Sequence, residues 1–392
     1  MRDFVRRIDS ATPPDRDRAV DALRAMAILG VVLGHWLVTA LVSDSGTVRG
    51  ASPLRYMPEF TPVSWVLQTL AVFFLVGGQV GAKSYASCRA RGLTYSGWLG
   101  ARMARLSRPV AVLVVVWTVV VCVMLASGAN QDTIRALCKL VWSPLWFLLV
   151  FAVLTAATPL VAKLHPLWPL AVVLYGDLFR LGLDGPAWLG WINVPAGWLV
   201  PYCLGAAWAR GALRDRATGW VLLLGGAAVA GGLVLWAGYP ASMVGVPGVS
   251  VSNLDPPSLA VVSFGLAQCG AALLLLGPLR RALRRPAAWA AVALVNLSAM
   301  TIFLWHQTAL IAVTALGLLV GTPLTGLHTV PDSLVWVLAR VAWLPVFALA
   351  LAACWAAFRT YEQGRRPRKR GGVVRKGRAA RSEPAEHVQG GS

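Results

Sequence analysis

Apolar runs of about 20 residues recur along most of the 392-residue chain, and each such run, wound as a helix, matches the roughly 30 Å hydrocarbon core of a bilayer. One such run can be the central helix of a soluble protein. A long series of them has no single globular core to bury it, so the surrounding lipid has to take that part. The composition agrees, with 57% hydrophobic residues, 13% charged and a mean hydropathy of +0.65. The fold class expected is an all-α integral membrane protein with about ten transmembrane helices.

Spans are expected near residues 19–42, 63–85, 109–127, 144–163, 166–181, 187–209, 217–238, 258–279, 291–320 and 334–358. They form a membrane domain of residues 19–362, flanked by an N-terminal segment, 1–18, and a basic tail, 363–392. A net charge of +20 would suit a nucleic-acid binder if it were clustered on a soluble module. Here the lysines and arginines lie between apolar runs and in the tail, which is how topology is written. With the N-terminus inside, most of the 36 basic residues fall on the cytoplasmic side, and both termini are placed there, in a multi-pass protein of the cell membrane. The fifth run, "PLWPLAVVLYGDLFRL", is short and carries Asp177 and Arg180. If it did not cross, "RGALRDR" and "RRALRR" would both land outside, against the charge bias.

The first run contains Asp21 and Arg24 and lacks a small-residue cleavage site, so it reads as a retained helix rather than a secretory signal. The six cysteines show neither zinc spacing nor a disulfide framework; they read as small packing residues, and no metal site is expected. The tail from Gly364 is basic and poor in apolar residues, and is expected to be disordered and drawn to anionic lipid. The outer segment from Tyr239 to Ser258 has no lysine or arginine and is rich in Gly, Pro and Ser, as an irregular loop over a site would be.

The polar residues within the runs carry the chemistry. In "LRAMAILGVVLGHW", Arg24 and His35 are eleven positions apart, roughly three turns plus 20°, so they share one helix face. A rise of about 1.5 Å per residue separates them by roughly 16 Å, placing Arg24 near the surface and His35 deep. Asp21, three residues before Arg24, can hold the guanidinium. Intramembrane charge usually faces a cavity or a partner. A snorkelling anchor for Arg24 and an interhelical hydrogen bond for His35 are the structural alternatives. Arg105 and Arg108, at i and i+3 before Pro109, present two forked donors suited to phosphate oxygens or serve only as topology charge. In "VFFLVGGQVGA", Gly77 and Gly81 give a small-residue face, for close packing or for a channel around a thin ligand. His306, in "TIFLWHQTAL", lies mid-span and can pair with another buried polar group.

The order of these pieces resembles the membrane-bound acyltransferase 3 family: "DALRAMAILGVVLGHW", "VFFLVGGQ" with Gly77 and Gly78, "RLSRP", "LWFLLVFAVLTAATP", "TIFLWHQ" and "YEQGRRP". The resemblance implies ten helices and an acyl-CoA donor, most simply acetyl-CoA, on the cytoplasmic side. It also implies transfer to a hydroxyl of a carbohydrate, an envelope glycan or a glycosylated metabolite. Carried onto this chain, His35 becomes the catalytic residue, and Arg24, Arg105 and Arg108 contact the CoA phosphates or the thioester end. Asp21, Gly77, Gly78 and His306 then play supporting parts. From a different class, a transporter using His35, Arg24 and His306 as a substrate or proton path is the alternative. No internal repeat relates the two halves, which speaks against a repeat-built transporter.

Overall fold

The computed structural model describes residues 2–363 except Ser45 and Ser250; the basic tail from 364 onward lies outside the described residues. In chain order the first part comprises α1 (Arg2–Ser10), α2 (Arg18–Val38), a hairpin of β1 (Ala40–Asp44) and β2 (Thr47–Ala51), α3 (Pro53–Tyr56), α4 (Thr61–Leu67), α5 (Leu70–Ala90) and α6 (Tyr95–Ala126). There follow α7 (Gln131–Trp142), α8 (Leu145–Ala156), α9 (Thr158–Val161), α10 (Leu167–Asp177), α11 (Asn193–Ala209) and α12 (Arg216–Trp236). The chain closes with α13 (Leu259–Ala282), α14 (Pro286–Leu297), α15 (Ala299–Leu318) and α16 (Leu334–Gln363). Among the described residues, eight segments are long and apolar enough to cross a membrane. Large apolar side chains such as Val115, Leu224 and Leu349 are exposed on them, as lipid-facing surfaces require.

The two remaining expected spans, 166–181 and 187–209, are irregular. An 11-residue α10 runs into a π turn over Leu178–Gly182, and a 3-10 segment, Ala187–Ile192, leads into the 17-residue α11. Asp177, polar in an apolar run, explains the arrangement. Its carboxylate accepts from Asn193 Nδ2 at 2.8 Å, Tyr239 Oη at 3.1 Å and the Leu259 amide at 2.6 Å, tying together α10, α11 and the start of α13. The loop after Tyr239 is irregular, as its composition predicts, and is pinned to the 58–65 region by Trp65 Nε1 on the Ala241 carbonyl and by the Met243 amide on Ser64 Oγ.

Four boundaries differ from the sequence-based expectation. The first span stops at Val38, and the stretch after it pairs as a hairpin in register Ala40 to Ala51. The third begins at Tyr95, capped by Thr94 Oγ1 on the Gly97 amide, and α6 runs straight through Pro109. The fourth is a pair, the amphipathic α7 followed by α8. The ninth, expected unbroken over 291–320, parts at Ser298 into α14 and α15.

The Ser298 break is made by a distant acid. Glu362, near the end of α16, accepts from the Met300 and Thr301 amides, both at 3.0 Å, and from Thr301 Oγ1 at 2.6 Å. A carboxylate on the first free amides of α15 favours a new helix start there over continuation from α14. Helix α2 lies centrally, packed on α5, α13, α14 and α15. Beside it α5 and α11 cross so closely that a Cβ on Gly78 would strike the Tyr202 carbonyl and one on Gly205 the Leu75 carbonyl.

Candidate active site

Asp17 starts α2 by accepting from the Ala19 amide at 3.1 Å, and one turn on, the buried Asp21 holds two arginines. Arg16 Nε and an Arg24 terminal nitrogen each lie 2.6 Å from its carboxylate oxygens. This fixes Arg24 but leaves its Nε buried with no protein partner. Across from it on α6, Arg102 sits 5.1 Å over the Trp98 ring and reaches the Val80 carbonyl at 3.4 Å, and its Nε too is buried and unpartnered. Arg105, one turn along, is exposed.

These three arginines line a cavity of about 680 Å³. Its lining includes a polar group, Arg24, Arg102, Arg105 and Glu362, and an aromatic one, Phe73, Phe147 and Phe303. The negative groups nearby are already engaged, Asp21 behind Arg24 by two guanidiniums and Glu362 in the lining by three donors of α15. What faces the cavity is therefore net positive, with N–H donors to spare. Buried donors without partners are costly, and an anion supplies what they lack.

Along α2 the lining ends at Ile28, two turns short of His35. Beyond the aromatic wall stands a histidine pair. His35 Nδ1 is 3.1 Å from His306 Nε2 and 3.0 Å from the Val31 carbonyl, while His306 Nδ1 is 2.6 Å from the carbonyl of Phe303. The two ring centroids are 4.9 Å apart. Phe303 thus belongs to both places, its ring on the cavity and its carbonyl on His306. Trp36 Nε1 donates to the His306 carbonyl at 3.0 Å and bolts α2 to α15 at this level.

Of the residues singled out in the sequence, Arg24, Arg105 and Gly77 line the cavity, with Asp21 supporting Arg24. His35 and His306 meet each other behind it, and Arg108 is exposed away from it. The glycines divide their work. Gly78 is the point of helix contact, whereas Gly77 lies under Phe151, whose ring edge would be 2.5 Å from an added Cβ. Sequence reasoning passed over Arg102 and Glu362. Arg102 stands at the same three-residue spacing from Arg105 as Arg108 does, and Glu362 is the acid of "YEQGRRP". Among the described residues no group of His, Cys, Asp and Glu is arranged to hold a metal.

No curated protein and no solved structure matches the chain. The family model described as an acyltransferase domain matches residues 17–359, from the cap of α2 almost to the end of α16, and so takes in the three arginines of the cavity and the histidine pair, though not Glu362. The chain therefore belongs to the acyltransferase 3 family and is a multi-pass membrane acyltransferase.

Proposed function

We propose that this protein moves an acyl group, acetyl in the simplest case, from acyl-CoA to a hydroxyl of a carbohydrate, an envelope glycan or a glycosylated metabolite at the cell membrane. The observation that carries the reading is the pair of buried, unpartnered guanidinium nitrogens on Arg24 and Arg102, residues that line a cavity whose Phe303 meets His306, the partner of His35. Phosphates of the donor are held at the mouth, on the face that the charge bias reads as cytoplasmic, by Arg24, Arg102 and Arg105. The pantetheine arm lies along the apolar wall past Gly77, and roughly 16 Å of α2 separates Arg24 from His35, a span that a pantetheine arm covers.

At the far end His35 Nε2 takes the proton of the acceptor hydroxyl as its oxygen attacks the thioester carbonyl. The new C–O bond forms, the C–S bond breaks, and the imidazolium returns its proton to the departing thiolate, giving ester and free CoA. The aromatic wall of Phe73, Phe147 and Phe303 must shift for the thioester to reach the imidazole, since the cavity ends before it.

The test compares membranes of wild type and His35→Ala, at matched protein level, for label passed from [14C]acetyl-CoA into extracts of surface glycans and secreted metabolites. Loss of incorporation by 100-fold or more, roughly the least a general base contributes, is the expected result. Undiminished incorporation overturns the assignment.

A further inference from the structure

The His35–His306 contact does more than fill space, because backbone carbonyls at both ends of it decide where the protons sit. A carbonyl oxygen can only accept, so His306 Nδ1, 2.6 Å from the Phe303 oxygen, carries hydrogen. In a neutral imidazole the other nitrogen is then a lone pair, and His306 Nε2 faces His35 Nδ1 as an acceptor. His35 Nδ1 is met from a second side by the Val31 carbonyl at 3.0 Å, another acceptor. Two acceptors converging on one nitrogen require it to donate, which leaves the lone pair of His35 on Nε2. That nitrogen has no bonding partner among the described residues, and His35 keeps part of its surface accessible.

We propose that His306 is a positioning residue that holds His35 in the Nδ1–H tautomer and turns its Nε2 lone pair toward the acceptor hydroxyl. The inference rests on the reading of His35 as the proton acceptor. In the familiar arrangement a carboxylate orients such a histidine. Here a neutral imidazole takes that place, and no carboxylate bonds either ring among the described residues. When Nε2 takes up the acceptor's proton, the Nδ1–H···Nε2 bond becomes charge-assisted and His306 shares the positive charge. Its contribution is thus larger in the transition state than in the resting enzyme. The opposite tautomer would set the His35 Nδ1 lone pair against the Val31 oxygen.

The backbone makes this testable without loss of fold. The Trp36 bond goes to the carbonyl of residue 306, so it persists whatever side chain stands there. His306→Gln places a carboxamide oxygen where Nε2 was and preserves an acceptor; His306→Leu fills the space without one. The expected result is a fall in kcat of about 100-fold for His306→Leu, with KM for acetyl-CoA within twofold, and His306→Gln within about tenfold of wild type. Full kcat in His306→Leu, or His306→Gln no better than His306→Leu, overturns the proposal. An independent readout needs no turnover: 15N spectra of [15N]histidine-labelled protein, assigned among its five histidines with the His35→Ala and His306→Gln variants. They should show His35 protonated at Nδ1 and bare at Nε2, and the reverse pattern overturns the proposal. Retained transfer in His35→Ala would defeat the reading of His35 as the proton acceptor, whereas the tautomer result stands or falls by the spectra.

Discussion

Two arginine sites within the helical bundle differ in one respect. Arg340, on α16, is fully buried, and its three guanidinium nitrogens are all spoken for. Nε donates to the Trp36 carbonyl at 2.6 Å, one terminal nitrogen to Gly326 at 2.8 Å and the other to Thr39. It is also stacked over Trp336 and Phe347. Arg24 and Arg102, near the other end of the bundle, are less buried yet retain nitrogens with no partner. Both sites place cationic charge in a mostly apolar domain, at a cost. At Arg340 the return is structural: carbonyls at the end of α2, where the helix dipole is negative, are satisfied one turn beyond His35. At the cavity the return awaits a ligand. Depth of burial does not separate a structural arginine from a binding one; whether its donors are used does.

Breaking the Arg340 site should have the largest effect on stability. Arg340→Met takes the donor from two buried carbonyls, Trp36 and Gly326, and from the half-buried Thr39 carbonyl, each buried one worth about 1–3 kcal/mol. Thermal unfolding in detergent should fall by several degrees, with transfer activity lost only as the fold is lost. A variant as stable as wild type would show that water reaches those carbonyls. At the cavity the balance reverses. Arg24→Gln or Arg102→Gln should lower the unfolding midpoint less than Arg340→Met does but weaken acyl-CoA binding, measured by calorimetry, by about 10- to 100-fold, the equivalent of one charge-assisted bond at about 1.5–3 kcal/mol. Unchanged affinity in both would remove the cavity from the donor path.

How far the sequence foretells this contrast depends on the distance over which each feature is encoded. The positions of eight of the ten expected spans and the unbroken helix carrying Arg24 and His35 are local consequences of apolar runs and a 3.6-residue period, and the structure has them, with shifted ends. The pairing of His35 with His306 joins helices 271 residues apart, and no periodicity reports it. The break at Ser298 is equally nonlocal: "VNLSAM" reads as continuous helix, and only Glu362, arriving from the end of α16, caps a new start. Arg340 was legible as a charge in a span but not as a cap, since its acceptors lie far off in sequence, at the end of α2 and at Gly326. The hairpin after α2 was hidden because its apolar residues extend the helical run without interruption.

A third charged pair sits between the two extremes. Asp17 accepts from Arg280 at 2.6 Å, with the arginine side chain 56% exposed. Burial works to raise the Asp17 carboxyl, but the Arg280 hydrogen bond and charge, with the Ala19 amide, hold it below its ordinary value. A carboxyl depressed by folding stabilises above its unfolded pKa of about 3.9, and that contribution drains away as pH falls through the lower folded value. Solvent screening limits an exposed pair to about 1 kcal/mol at most. The stability difference between wild type and Asp17→Asn should therefore be small at pH 6 and vanish well below pH 4. A difference that grows on acidification would have the wrong sign for this pair.

The smallest effect is expected at Arg108, and it sharpens the distinction between a charge that binds and one that only reports topology. Arg102, Arg105 and Arg108 follow one another at three-residue steps on α6, and each step falls about 60° short of a full turn. Across all three the fan opens to roughly 120°, too wide for one cavity. The helix is rotated so that Arg102 lies on Trp98 and Val80 and, with Arg105, lines the cavity, which leaves Arg108 exposed on the outside. Arg108→Gln should therefore change acyl-CoA affinity by less than about twofold, the little expected of an exposed charge screened by salt. A loss equal to that of Arg102→Gln would mean that the phosphates run along the outer face of α6, and the unpartnered nitrogens of the cavity would need another occupant.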